Sequence, residues 1–244
     1  MSNIKITVEY DGTNYCGWQR QKNTSRTIQQ KIEDCLTKLN KQKVKVEGAG
    51  RTDSGVHALG QVANFHLNVS IPVRKIPRAL NSMLPDDIIC KNAERVSDKF
   101  HSSFCATGKK YRYRILNRSF SSVFLRNFVY TIYKPVNFVK IKQVINKFEG
   151  THDFSAFQSS NSEVSSPVRT IKNIVLKEKP PEHWIEITGD GFLYNMVRII
   201  VGTLLEIGLD KRKSKITKIL ESSDRQKAGF TAPAKGLTLV KVFY

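Results

Sequence analysis

Hydrophobic periodicity in this chain switches between a period of two and a helical period, in an order that occurs twice. Strand-like, helical, strand-like and helical stretches follow one another up to about Cys105, and the same order returns after it. This order predicts an α+β fold of two similar halves, each a mainly antiparallel sheet with helices on one face. We expect the halves to be residues 1–104 and 105–244, with an active-site cleft between them.

Local patterns predict the individual elements. Residues 4–10 alternate apolar and polar side chains, which predicts a half-buried strand. Thr27 followed three positions later by Gln30 forms a capping-box pattern at the start of a helix, and Asn137 precedes a second helix as its cap. Further helices are predicted over residues 77–84, 192–207 and 216–222, further strands over 62–67, 111–115, 171–176, 184–188 and 237–244, and a hairpin turn over 189–191.

The charge of the chain is strongly positive. The 244 residues include 40 Lys and Arg against 21 Asp and Glu, a formal net charge of +19. A charge of this sign and size predicts a nucleic-acid partner, although a generally basic proteome would also raise it. We expect a cytoplasmic protein without membrane association. The amino terminus lacks the pattern of a signal peptide, and the longest apolar run, residues 199–205, is too short to span a bilayer.

The most distinctive motif is the glycine-rich segment 48–58. It holds one carboxylate, Asp53, close to Arg51, and its three glycines allow a ligand to approach the backbone. A capped turn in which Asp53 accepts hydrogen bonds from nearby amides is the structural alternative. The segment lacks the spacing of phosphate-binding and dinucleotide-binding loops, so we expect no nucleotide cofactor. The four cysteines lack metal-ligand spacing, so we expect no metal and free thiols.

Two further features suggest chemistry on a polyanion. Residues 109–114 alternate basic and aromatic side chains, and Tyr111 and Tyr113 would share one face of a strand on which a base can stack; filling the core is the alternative. Arg198 is the single cation in the most apolar predicted helix. A buried arginine requires an anionic partner, and we predict that Asp53 is that partner.

Twelve short segments, in order along nearly the whole chain, resemble the bacterial tRNA pseudouridine synthase A family. The Arg-Thr-Asp-x-Gly-Val-His sequence at residues 51–57 is highly specific, whereas the others are individually weak and strong together. The segments are residues 10–13, 17–19, 48–57, 84–85, 100–101, 110–113, 150–154, 191–193, 196–198, 201–202, 232–233 and 236–237.

The resemblance implies a role for each candidate residue. Asp53 would be the catalytic carboxylate, Tyr111 would stack on the target uracil, Arg198 would pair with Asp53, and Arg51 would help to extrude the nucleotide and fill its place. The residues expected to contact the RNA are Arg51, Tyr111, His57, Arg20 and Lys110. The family isomerises uridines at positions 38, 39 and 40, on the 3′ side of the tRNA anticodon stem-loop. It acts as a homodimer, with tRNA spanning both subunits and with no cofactor or metal.

Several alternatives stay open at this point. Asp53 would either attack C1′ of the ribose or remove its 2′ proton, and both routes need a single carboxylate. A relative that acts on other uridines, or a non-catalytic RNA-binding protein, would share much of the sequence. A zinc deaminase would need ligand spacings that are not found here. Ser103 stands where the family often has Arg, which affects one expected RNA contact and not the chemistry.

Overall fold

The chain folds into two units, Met1–Thr107 with Thr238–Tyr244, and Gly108–Leu237. The computed structural model describes residues 1–68, 71–159, 166–213 and 215–244. The predicted division into residues 1–104 and 105–244 differs from these units mainly at the last strand, which belongs to the first unit. That strand pairs with a strand of the first unit through Thr238 opposite His57 and Leu239 opposite Ala58.

The first unit combines helices with a mainly antiparallel sheet. The elements are β1 (Ser2–Tyr10), α1 (Ile28–Asn40), β2 (Glu47–Gly48), β3 (His57–Leu67), α2 (Ile76–Asn81), β4 (Ile88–Arg95) and β10 (Leu237–Phe243). The strands run in the order β4-β1-β3-β10, and among the described residues of this unit β3 and β10 form the one parallel pair.

The predicted strand and capped helix at the start of this unit are confirmed. Alternate residues of β1 are buried from Ile4 to Tyr10. Helix α1 begins after Thr27, whose hydroxyl accepts a hydrogen bond from the backbone N–H of Gln30 at 3.4 Å. Helix α2 ends at Asn81, earlier than predicted, and Met83 lies exposed beyond it. Strand β4 was not predicted.

The second unit is also α+β. The elements are β5 (Gly108–Asn117), β6 (Tyr130–Ile132), α3 (Phe138–Val144), β7 (Gly150–Asp153), β8 (Val168–Lys179), β9 (Glu182–Gly189), α4 (Met196–Gly208) and α5 (Ile216–Ser222). The strand order is β5-β9-β8-β7 with antiparallel neighbours, and β6 pairs in parallel with β5. The mainly antiparallel α+β class predicted for each half is therefore confirmed.

Helix α4 forms the centre of the second unit. Eleven of its thirteen residues are buried, and it packs against β5 and α3. The predicted start at residue 192 is wrong, because Asn195 adopts a left-handed conformation with φ of 62° and α4 begins after it. No helix of the described residues is long and apolar enough to cross a membrane.

The predicted hairpin turn at residues 189–191 is also wrong. Asp190 continues the pairing between β8 and β9: its backbone N–H donates to the Thr170 carbonyl at 3.1 Å, and its carboxylate accepts from the Thr170 N–H at 3.0 Å. The hairpin between these strands instead turns at Pro180 and Pro181. The sequence Gly-Asp-Gly is compatible with both arrangements, and pairing with Thr170 decides between them.

Candidate active site

The glycine-rich segment forms a tight turn that leads into β3. The Val56 N–H donates to the Asp53 carbonyl at 3.1 Å, and Gly55 has a φ of 75°, a conformation that glycine adopts without strain. The Ser54 hydroxyl donates to the Tyr15 carbonyl at 3.1 Å. The turn is therefore closed through the backbone carbonyl of Asp53 and tied to Tyr15 by the side chain of Ser54.

Thr52 anchors the turn to the body of the first unit. Its hydroxyl and that of Tyr10 are 2.8 Å apart, and its carbonyl accepts from the Trp18 N–H at 3.0 Å. Gly17 approaches so closely that a Cβ there would lie 2.6 Å from the Thr52 carbonyl oxygen. The Trp18 ring packs in the same way against Gly48. Gly17 and Trp18 therefore hold the glycine-rich loop in place, and the close packing at Gly17 and Gly48 leaves no room for a side chain at either position.

Asp53 and Arg51 occupy the loop that these anchors hold. The Asp53 side chain is half-buried, whereas Arg51 is exposed. The exposed Arg51 can contact a polyanion, while the half-buried Asp53 carboxylate beside it is partly shielded from water. This arrangement suits a reactive group better than a surface charge.

His57 lies beneath the loop. It is 3% exposed, its Nδ1 accepts from the Gly12 backbone N–H at 3.1 Å, and the same Nδ1 lies 3.0 Å from the Asp11 carboxylate. The ring thus connects the first motif of the chain to the start of β3. Contact of His57 with RNA stays a prediction, and the geometry gives this residue a supporting position.

Tyr111 and Tyr113 share one face of β5 but make different contacts. The Tyr113 ring is fully buried, its hydroxyl donates to the Pro233 carbonyl at 2.8 Å, and burial raises its pKa well above the usual value while Arg198 opposes that shift. Tyr111 is 7% exposed and meets the edge of Phe192 at 5.2 Å between ring centroids. Tyr113 is a core residue, and Tyr111 keeps some access to solvent.

Arg198 lies in the first turn of α4 and is half-buried. Its Nε donates to the Ala232 carbonyl and its Nη1 to the Asn195 side chain, both at 2.7 Å. Since Tyr113 donates to the neighbouring Pro233 carbonyl, residues 232–233 connect α4 to β5. Asp53 belongs to the first unit and Arg198 to the second. Their predicted pairing stays a prediction.

Both of the other predicted RNA contacts form ion pairs with buried acids. The Arg20 guanidinium lies 2.9 Å from Glu33, and the Lys110 ammonium lies 2.8 Å from Glu186. Each acid is at most 5% exposed. These two cations have structural partners, and their contact with RNA stays a prediction.

Comparison with known proteins identifies the family. A family model described as tRNA pseudouridine synthase matches residues 6–105 and 144–244. The chain belongs to this family. Over the full length of both chains it is 51% identical to tRNA pseudouridine synthase A of Acetivibrio thermocellus, 49% to that of a Thermoanaerobacter species and 48% to that of Clostridium acetobutylicum.

Membership in the tRNA pseudouridine synthase family makes the chain an isomerase. The family motifs in this structure are of two kinds. The segments around Gly17 and Ala232 hold neighbouring elements through hydrogen bonds to their backbone, whereas the segment around Asp53 contains a half-buried carboxylate. Ser103, where the family often has Arg, is exposed, and its N–H donates to the His101 ring at 3.2 Å.

Glu186 of this synthase was not predicted from the sequence as a residue of interest. This side chain is 2% exposed and lies on the face of β9 opposite Ile185 and Ile187. Burial acts to raise its pKa, but hydrogen bonds from three cations lower the pKa to about 2. The cations are Lys110, Lys177 and Arg112. The available signal was a Glu between two Ile residues in the predicted strand 184–188.

Proposed function

We propose that this synthase converts uridine to pseudouridine at positions 38, 39 and 40 of tRNA, with Asp53 as its catalytic carboxylate. The supporting observation is a half-buried carboxylate in a glycine-rich loop that is closed by the Val56 N–H to Asp53 carbonyl hydrogen bond and anchored through Thr52. The reaction breaks the C1′–N1 bond, rotates the uracil and joins C5 to C1′, while the proton on C5 is lost and N1 gains one. Substrate and product are isomers, so one carboxylate suffices in either proposed route.

Access to the target requires base flipping. A uridine stacked in the anticodon stem cannot rotate, and extruding it costs a few kcal/mol. In our proposal the exposed Arg51 offsets this cost by occupying the vacated place. Tyr111 holds the uracil by stacking until it rejoins the ribose. Arg198 favours the ionised form of Asp53.

The same proposal covers the assembly and location of the enzyme. We propose a cytoplasmic homodimer with tRNA spanning both subunits. Light scattering then gives about twice the monomer mass of 27.8 kDa. A monomer mass across the working concentration range would contradict this part alone.

The decisive test replaces Asp53 with Asn, which preserves size and removes the charge. We expect Asp53→Asn to abolish pseudouridine formation and to leave tRNA affinity within a few-fold. The matched control is Asp34→Asn, which removes an exposed carboxylate from α1 in the same unit. Product is measured by mapping pseudouridines in tRNA, which also reports the modified positions. Full activity of Asp53→Asn would refute the catalytic assignment, and product at other positions would refute the target assignment.

A further inference from the structure

A pair of cations lies on the Tyr111 face of the second unit. Lys109 precedes Tyr111 by two positions on β5, so both side chains lie on one face. Lys109 is paired with Gly189, and Gly189 with Ile171 on β8. Arg169 precedes Ile171 by two positions and so shares its face. The two cations therefore lie on the same face of the sheet, one on each of the two strands that pair with the end of β9.

The Arg169 side chain lies against Gly191, and the backbone of Lys109 pairs with Gly189. Lys109 is half-buried, and burial and then the charge of Arg169 lower its pKa. The Arg169 Nη1 donates to the carbonyls of Ser166 at 2.8 Å and Val168 at 2.6 Å. Its Nε would lie 3.4 Å from a Cβ on Gly191. The Arg169 guanidinium is thus held by two carbonyls, and its side chain packs against Gly191.

The charge balance here differs from that on the opposite face of the same sheet. There, Lys110 and Arg112 both form ion pairs with the buried Glu186. Within the described residues, no carboxylate forms an ion pair with Lys109. Two neighbouring cations, of which Lys109 is half-buried, repel each other, and an anion bound between them would reduce that repulsion.

We propose that Lys109 and Arg169 bind a phosphate of the RNA strand that carries the target uridine. This inference rests on the proposed role of Tyr111 in stacking that uridine. Two positions along a strand span about 7 Å, which is within reach of a nucleotide's own phosphate when its base stacks on Tyr111. An arginine fork beside a lysine is a suitable donor set for a phosphate.

The first test measures RNA binding and turnover in charge-neutralised variants. We expect Lys109→Gln and Arg169→Gln each to weaken tRNA binding about tenfold and to reduce the salt slope of binding by about 1. Lys109→Arg retains the charge and restores both. Lys218→Gln removes an exposed lysine of α5 in the same unit and serves as the control. Thermal unfolding confirms that each variant is folded.

The second test needs no RNA and no activity. Inorganic phosphate is titrated into protein with ¹³C-labelled lysines, and the Lys109 signal is assigned by its loss in Lys109→Arg. We expect phosphate to shift this signal, and Arg169→Gln to weaken the effect.

The two tests distinguish this site from the proposed function. If the wild type makes no pseudouridine, the proposed function fails, while the phosphate shift still supports an anion site. Unchanged salt slopes in both Gln variants of an active enzyme would overturn the RNA contact, and a phosphate shift would then report an adventitious ion only. An unmoved Lys109 signal would overturn the site itself.

Discussion

At the scale of single residues, the protein places similar side chains in different roles. Tyr111 and Tyr113 lie on one strand face, and the Tyr113 hydroxyl donates to the Pro233 carbonyl from a fully buried ring. Tyr111 ends against Phe192, where it retains slight exposure. The alternation of side chains along a strand cannot distinguish the roles of these two residues, whereas their tertiary contacts do.

Substitution of Tyr111 tests stacking against proton transfer. We expect Tyr111→Ala to lose most activity, since it loses the ring and with it about 1–3 kcal/mol of base stacking. Tyr111→Phe keeps the ring: if it remains active, the ring acts by stacking, and if it is inactive while folded, the hydroxyl moves a proton. Single-turnover pseudouridine formation is the measurement.

The matched control for that series is Tyr113→Phe. It leaves the Pro233 carbonyl without its donor and should lower the free energy of unfolding by about 1 kcal/mol with little change in chemistry. Near-normal turnover in both Tyr111 variants would instead make Tyr111 a core residue.

Arg198 offers a second residue-scale prediction. Arg198→Met removes the cation that we propose acts on Asp53, so we expect kcat to fall more than tRNA affinity. Some loss of stability accompanies it, because the Ala232 carbonyl and the Asn195 side chain lose their donor. Urea unfolding separates that loss from the kinetic effect. Equal losses in kcat and in affinity would argue against a role in the chemical step.

At the scale of secondary-structure elements, Glu186 connects three strands. It lies on β9 and pairs with Lys110 and Arg112 on β5 and with Lys177 on β8. Tyr111 and Lys109 occupy the opposite face of β5. The ion-pair cluster therefore holds in register the strand that carries the proposed stacking and phosphate-binding residues.

Neutralising Glu186 should destabilise the second unit in a pH-dependent manner. We expect Glu186→Gln to lower the free energy of unfolding by about 1–3 kcal/mol at neutral pH, because three cations lose their counter-charge. The pKa of Glu186 is about 2 when folded, below the ordinary 4.5. Its stabilisation is therefore fully present above about pH 4.5 and is lost as the pH falls toward 2.

The measurement is urea unfolding of wild type and Glu186→Gln between pH 7 and pH 3. The stability difference between them should be largest above pH 5 and should shrink as the solution is acidified. A difference that stays constant across this range would mean that the charge of Glu186 is not what stabilises the strands.

At the scale of the whole molecule, the net charge of +19 should govern encounter with tRNA. We expect log Kd to depend linearly and steeply on log salt concentration, since each phosphate neutralised releases counterions. Binding measured by filter retention from about 50 to 200 mM salt gives the slope. A slope near zero would mean that the positive charge does not serve tRNA binding and reflects a generally basic proteome.

Much of the fold could be predicted from sequence because its signals are local. The caps at Thr27 and Asn137 accept hydrogen bonds from residues three positions away, so α1 and α3 begin where predicted. Helix α5 has the predicted bounds, and β1 follows its alternation. The loop around Asp53 was also identified, because its glycines and its carboxylate are adjacent in the chain.

The sequence by itself determined the α+β class, most of the elements and the residues that identify the family. Tertiary structure decided the features that depend on partners far apart in the chain. Thr170 extends the pairing of β8 and β9 to Asp190, and Glu186 forms ion pairs with cations on two other strands. Strand β10 pairs with β3 of the first unit. Hydrogen bonds and ion pairs between residues far apart in the chain leave no periodicity in the sequence. Only the folded backbone brings those groups within reach.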